Sequence, residues 1–130
     1  MDLTLNKKID RLREEYYFDF RRFAADCLVV RTKTDGVKPF ILNSVQLDFL
    51  HRFNEQMRIK KRARFIILKA RQQGLSTLIE GLMYWWSIYH AGFKGLVLTH
   101  LDSATQELFE ITRRYRQNTP QPFKPSATSD

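Results

Sequence analysis

Apolar and polar positions follow two different periods along the chain. Four segments place an apolar residue every three or four positions with polar or charged residues among them, which predicts amphipathic helices. These segments are residues 4–25, 44–58, 75–90 and 103–116. Two runs, Phe65–Leu68 and Gly95–Thr99, are short, continuous and rich in strand-forming residues. Strand, helix and strand within about 35 residues predict a parallel pair joined by a right-handed crossover.

The connector over residues 26–43 carries turn signals. Cys27–Val30 has the composition of a short strand, Thr34–Gly36 is a turn sequence, and Pro39 opposes helix. Residues 119–130 hold three prolines among small polar residues, which predicts a loop or a frayed end.

Polar residues mark the starts of two helices. Asn43 or Ser44 is placed to cap the helix over 44–58, and Asp102 or Ser103 to cap the last helix.

Composition narrows the class of protein. The chain has 130 residues, of which 43% are hydrophobic, so it is long enough to bury a core. Its net charge of +8 favours polyanionic partners. The single Cys27 excludes an internal disulfide and fits a reducing compartment. No apolar run approaches the roughly 20 residues of a membrane span, and the first residues lack a signal-peptide core. The sequence therefore predicts a cytoplasmic protein.

The turn over residues 69–74 carries the candidate chemistry. It joins the first predicted strand to a helix, and helix starts bind anions through backbone N–H groups and the helix dipole. Against the phosphate-binding pattern G-x-x-x-x-G-K-[ST], Gly74 takes the second glycine and Ser76 the hydroxyl position. Leu75 stands in place of the lysine, whereas Lys69 stands in place of the first glycine. An ordinary strand–turn–helix without a ligand stays open on the motif alone.

Three stretches together resemble one family. KARQQGLST is similar to the deviant Walker A loop of large terminase subunits, the motors that pump DNA into viral capsids. Upstream, PFILNSVQLDFLHRF resembles the adenine-recognition segment of these ATPases. Downstream, FKGLVLTHLDSATQELFEIT resembles their second strand and helix, so the resemblance covers residues 39–117. It implies an α/β fold, namely part of a P-loop NTPase three-layer αβα fold with parallel strands, preceded by N-terminal helices.

The resemblance also implies roles for individual residues. Lys69 would neutralise phosphate charge, and Arg71 would sense the γ-phosphate and link hydrolysis to movement. Ser76 would bind Mg²⁺ through its hydroxyl, and Gln46 would face the adenine of ATP. The backbone N–H groups of Gln72, Gln73, Gly74, Leu75, Ser76 and Thr77 would cradle the β-phosphate, and Thr77 would add a further phosphate contact.

The acidic half of an ATPase site is missing from the sequence. No run of four apolar residues ends in Asp or Glu, and Leu96–Leu98 leads to Thr99 and His100. In the resembled family the Walker B carboxylate and the nuclease cluster come later in the chain. We therefore expect a first part of a longer subunit, itself without appreciable hydrolysis: residues 1–43 as N-terminal helix and connector, 44–118 as the first part of the ATPase core, and 119–130 as a flexible tail.

At the level of the family, the resemblance implies a bacteriophage or prophage enzyme for viral genome packaging. It would be an ATP hydrolase and DNA translocase, with a nuclease in the full-length subunit. The implied partners are double-stranded DNA, the small terminase subunit and the portal protein, with a homo-oligomeric ring as assembly and no membrane. The implied location is the cytoplasm of the host cell.

Two other functions stay open. A helicase-like ATPase shares a glutamine before its loop, but Leu75 replaces the lysine that such enzymes keep. A non-enzymatic basic DNA-binding protein is the second alternative. The linker Arg58–Arg64 has five cations and no acid, and it is either a solvated loop or a contact to DNA phosphates. His51, His90 and His100 lack metal-ligand spacing, which predicts no metal bound by protein histidines.

Overall fold

The computed structural model describes residues 3–68 and 74–125, and these are mostly helical. Five helices and one hairpin follow in the order α1 Leu3–Phe18, α2 Phe20–Cys27, β1 Val29–Thr32, β2 Gly36–Pro39, α3 Ser44–Lys60, α4 Leu75–Tyr89 and α5 Asp102–Asn118. No helix within these two ranges combines the length and the apolar content that a membrane crossing requires.

The predicted α/β fold is wrong for the described residues. Phe65–Leu68 and Gly95–Thr99 have irregular backbone, and the sheet present is the antiparallel β1–β2 hairpin rather than a set of parallel strands. A β-strand is defined by ladder hydrogen bonds to a neighbouring strand. Neither run forms such bonds with another described segment. Ile66 and Leu68 are both 97% exposed and Phe65 and Ile67 are half-buried, so the first run is not the buried strand that its apolar composition predicted.

The predicted first helix over residues 4–25 is divided in two at Asp19. This residue is extended, with φ −135° and ψ 93°, and its carboxylate accepts a hydrogen bond from the backbone N–H of Arg22 at 3.2 Å. The carboxylate thereby caps α2. The break leaves Tyr16 at the end of α1 and Phe20 at the start of α2 both buried.

The connector forms the predicted turn and a two-stranded sheet. Val29 lies opposite Pro39 and Thr32 opposite Gly36. The Thr32 hydroxyl accepts the backbone N–H of Asp35 at 3.0 Å, and Gly36 takes the positive φ of 73° that the turn needs. The hairpin delivers the chain to Phe40 and Leu42, which enter the core.

Helix α4 is the central element of the core. Leu78, Leu82 and Trp85 are buried on its inner face, as the apolar stripe predicts. The indole N–H of Trp85 donates to the carbonyl of Tyr16 at 2.7 Å, and its ring meets Phe20 edge to face at 5.6 Å. Aromatic contacts of this kind therefore join α4 to both N-terminal helices.

Helix α5 packs against the same helix through polar as well as apolar contacts. Tyr115 is fully buried, and its hydroxyl donates to the carbonyl of Thr77 at 2.8 Å. Gly81 permits the close approach of Phe20 on α2, because a Cβ there would lie 3.2 Å from that ring, whereas the Tyr115 hydroxyl would lie at an ordinary 3.6 Å. The helix begins at Asp102 with Leu101 as N-cap and no side-chain cap, so the predicted caps Asp102 and Ser103 are wrong.

Residues 119–125 follow α5 without helix or strand and return to α1. Thr119 is buried, and its hydroxyl lies 2.8 Å from that of Tyr84. The ring of Phe123 meets Tyr16 edge to face at 5.1 Å. This segment thus contributes to the same aromatic core.

Cys27 lies in that core as a free thiol, and burial raises its pKa to about 11. The unfolded chain loses the thiol proton near pH 9, whereas the folded chain keeps it, so stability must fall as the pH rises between these values. Burial also raises the pKa of Tyr89, to about 12. Its ionisation in the unfolded chain therefore lowers the free energy of unfolding further, starting near pH 10.

We expect the free energy of unfolding to fall by about 1 kcal/mol between pH 9 and pH 10 because of Cys27. Urea unfolding of the wild type and of Cys27→Ala at both pH values measures this, and the variant should lose less stability over the interval. Equal losses in the two proteins would contradict the assignment to the thiol.

Candidate functional site

The predicted site centres on the start of α4. The helix begins at Leu75, as predicted, directly after Gly74, which has φ 76° and ψ 13°. Gly74 supplies no side chain to cap the helix, and the first turn contains no acidic residue. The backbone N–H groups and the dipole at this helix start therefore suit an anion.

Gln46 is the residue that the structure brings to this loop. Its amide Nε2 donates to the carbonyl of Gly74 at 2.9 Å, across 28 positions of sequence. Its Oε1 accepts the backbone N–H of Asn43 at 2.9 Å. The Asn43 side chain in turn accepts the backbone N–H of Gln46, which completes a capping box and confirms Asn43 as the cap of α3.

These bonds define what Gln46 does in this arrangement. The residue is 5% exposed, and both ends of its amide are engaged with backbone. One N–H and one lone pair of the amide are left over for a further partner. Gln46 thus holds the end of the loop against α3, while its contact with adenine stays a prediction.

The other described site residues fall on two sides of α4. Leu75 is 4% exposed and belongs to the core, which gives a physical reason for leucine where the usual pattern has lysine. Ser76 and Thr77 are half-buried. The carbonyl of Thr77 is held by the hydroxyl of Tyr115. Lys69, Arg71, Gln72 and Gln73 lie outside the described residues, and their predicted roles stay predictions.

A buried carboxylate near the loop was missed from the sequence. Glu80 is 6% exposed within α4, and its carboxylate accepts the hydroxyl of Thr112 on α5 at 2.6 Å. Burial first, and then the charge of Glu80, raises the pKa of Tyr115 above its usual range. Tyr115 therefore stays protonated and donates to Thr77. The available signal was that Glu80 is the one charge between Leu75 and Tyr89.

The described residues fit a phosphate group better than a free metal ion. The uncapped helix start offers donors to phosphate oxygens. Across residues 3–68 and 74–125 no three His, Cys, Asp or Glu side chains are grouped to hold a metal. Mg²⁺ commonly takes one or two protein ligands together with phosphate and water. The Ser76 hydroxyl fits that pattern as one ligand to a phosphate-bound ion.

Comparisons with protein-family models, with curated proteins and with solved structures find no match to this chain. The functional argument therefore depends on the sequence motif and on the geometry at Gly74.

We expect Gly74→Ala to be destabilising for two separable reasons. A Cβ would lie 2.6 Å from Nε2 of Gln46, and the positive φ disfavours any side chain by about 1–2 kcal/mol. Gly92→Ala is the matched control, because Gly92 has φ 77° and a Cβ added there would have nothing within 4 Å. Urea unfolding should show a larger loss for Gly74→Ala, by about 1 kcal/mol.

A double-mutant cycle with Gln46→Ala tests the contact between Gly74 and Gln46 directly. In a Gln46→Ala background the close contact is absent, so the loss caused by Gly74→Ala should fall to that of Gly92→Ala. Equal losses for the two glycines in the wild-type background would contradict the contact.

Proposed function

We propose that this chain carries the nucleotide-binding part of a large terminase subunit, an ATP-driven motor that packages double-stranded DNA into a viral capsid. The observation that carries the proposal is the hydrogen bond from Gln46 to the carbonyl of Gly74. It joins the segment that resembles an adenine-recognition segment to the residue before α4, which supports a shared nucleotide site. The proposal depends on this loop and not on a parallel sheet, which the described residues lack.

The residues at the loop have distinct tasks in this proposal. Backbone N–H groups at the start of α4 bind phosphate oxygens, and the hydroxyl of Ser76 ligates the magnesium ion that accompanies them. Gln46 keeps Gly74 in place so that these donors point to one position. ATP bound there would supply the phosphoryl group whose transfer to water drives movement.

Further roles come from the resemblance. Lys69 neutralises phosphate charge in place of the usual lysine, and Arg71 senses the γ-phosphate. The wider assignment includes double-stranded DNA, a small terminase subunit and a portal protein as partners of a ring-shaped assembly. The net charge of +8 supports the DNA partner, and the unpaired Cys27 supports the host-cell cytoplasm as location.

We expect Mg-ADP to raise the melting temperature of the protein. A ligand at about 100 times its Kd adds about 2.7 kcal/mol to the free energy of unfolding, which is several degrees for a domain of this size. Ser76→Ala should reduce this shift. Ser103→Ala is the matched control, because both serines occupy the second position of their helices. A thermal shift titration measures both variants.

Lys69→Gln gives an independent test, and it should also reduce the shift with Mg-ADP. A shift of zero for the wild type would favour the basic DNA-binding protein and overturn the nucleotide site. Equal reduction by Ser76→Ala and Ser103→Ala would remove the specific role of Ser76.

We expect no appreciable ATP turnover by these 130 residues, because no run of four apolar residues in the sequence is followed by an Asp or Glu that could hold Mg²⁺ or activate water. A phosphate-release assay with Mg-ATP measures this. Robust magnesium-dependent turnover that Lys69→Ala abolishes would contradict the expectation.

A further inference from the structure

A cluster of exposed cations lies at the end of α3, which is the end opposite to Gln46. We call residues 58–64 the basic turn. It contains no acidic residue. Its exposed cationic side chains are Arg58, Lys60, Lys61, Arg62 and Arg64.

Backbone bonds give the basic turn a defined shape. Lys61 ends the helix in the left-handed conformation, with φ 58°, and its N–H donates to the carbonyl of Met57 at 3.1 Å. The backbone N–H of Arg64 donates to Oε1 of Gln56 at 3.0 Å, which folds the chain back onto the helix. The cations are therefore presented on one short, folded segment.

The positive charge of the turn is mostly uncompensated. Arg58 lies 3.8 Å from Glu55, and the other four cations form no ion pair with any described acid. The dipole at a helix C-terminus carries about half a negative charge and so accounts for one or two cations in the last turn. Lys61, Arg62 and Arg64 lie beyond that turn. A polyanion would compensate this excess charge.

We propose that the basic turn binds the phosphate backbone of double-stranded DNA without reading its sequence. A single strand is disfavoured because the turn offers no aromatic ring for base stacking. The next ring along the chain, Phe65, is half-buried, and its centroid lies 4.8 Å from that of Phe49. A membrane surface is disfavoured because Ile59 is the one exposed large apolar side chain of the turn.

Helix α3 separates this contact from the nucleotide loop. Gln46 lies in its first turn and Lys60 at its end, about 21 Å apart along the helix axis at 1.5 Å per residue. The inference rests on the proposed function for the identity of the polyanion as DNA. Because of the separation, removal of these charges should leave nucleotide binding intact, so the two proposals fail in different experiments.

The test compares two triple variants with equal loss of charge. Lys60→Gln/Arg62→Gln/Arg64→Gln changes the basic turn and keeps the backbone bond of Arg64. Lys7→Gln/Lys8→Gln/Arg11→Gln removes three exposed cations from α1 and is the control. Fluorescence anisotropy measures binding to a labelled duplex of about 30 base pairs, to its single strand and to anionic phospholipid vesicles, over about 50–200 mM NaCl.

We expect the basic-turn variant to bind duplex at least tenfold more weakly, with a salt slope lower by about 2–3, whereas the control changes little. The single substitution Arg62→Glu, compared with Arg11→Glu, gives the same comparison with minimal change to the fold. Equal weakening in both members of a pair would overturn the proposal, as would tighter binding of single strand or vesicles than of duplex. If Mg-ADP does not shift the melting temperature of the wild type, that result would count against the nucleotide site and not against the DNA contact.

Discussion

The hydrogen bond between Gln46 and Gly74 ties α3 to the start of α4, and the remaining helices are arranged around α4. The carbonyl of Gly74 accepts both the amide of Gln46 and the backbone N–H of Leu78, so one oxygen ties α3 to the first turn of α4. A glutamine that was exposed would gain little from such a bond. Here the residue is buried, and an unpaired amide in that position would cost about 1–3 kcal/mol.

This constraint gives a common explanation for three residues of the loop. Gly74 must be glycine because its φ is positive and because any Cβ would meet Gln46. Leu75 follows at once into the core, where a lysine would lose its hydration. If a lysine is to serve phosphate in this loop, it must therefore come from another position, and Lys69 is the residue that the motif offers. The substitution that weakens the match to the usual pattern thus follows from packing.

Local signals in the sequence were sufficient where the chain is governed by nearest neighbours. They predicted the start of α4 at Leu75 and the turn before Gly36, and they limited the cap of α3 to Asn43 or Ser44, of which the structure has Asn43. They failed where a distant or competing contact determines the local structure. The carboxylate of Asp19 caps α2, so α1 ends at Phe18 and the predicted single helix is interrupted. No periodicity predicts the hydrogen bond from Gln46 to Gly74, which are 28 residues apart. A single charged residue within an apolar run, such as Glu80, indicates a buried polar partner even when the run has the composition of a core helix.

The error over the strands has a specific physical origin. Phe65, Ile67 and Phe93 line an apolar groove of about 350 Å³ beside α4, together with Phe53 and Trp86. Side chains at alternate positions of the first run thus pack on a helix, while Ile66 and Leu68 between them are exposed. The strand prediction came from a continuous apolar run, which indicates a strand when a sheet is covered on both faces. Here the run packs alternate side chains on a helix and pairs with no described strand, so its apolar composition indicated neither burial of both faces nor ladder hydrogen bonds.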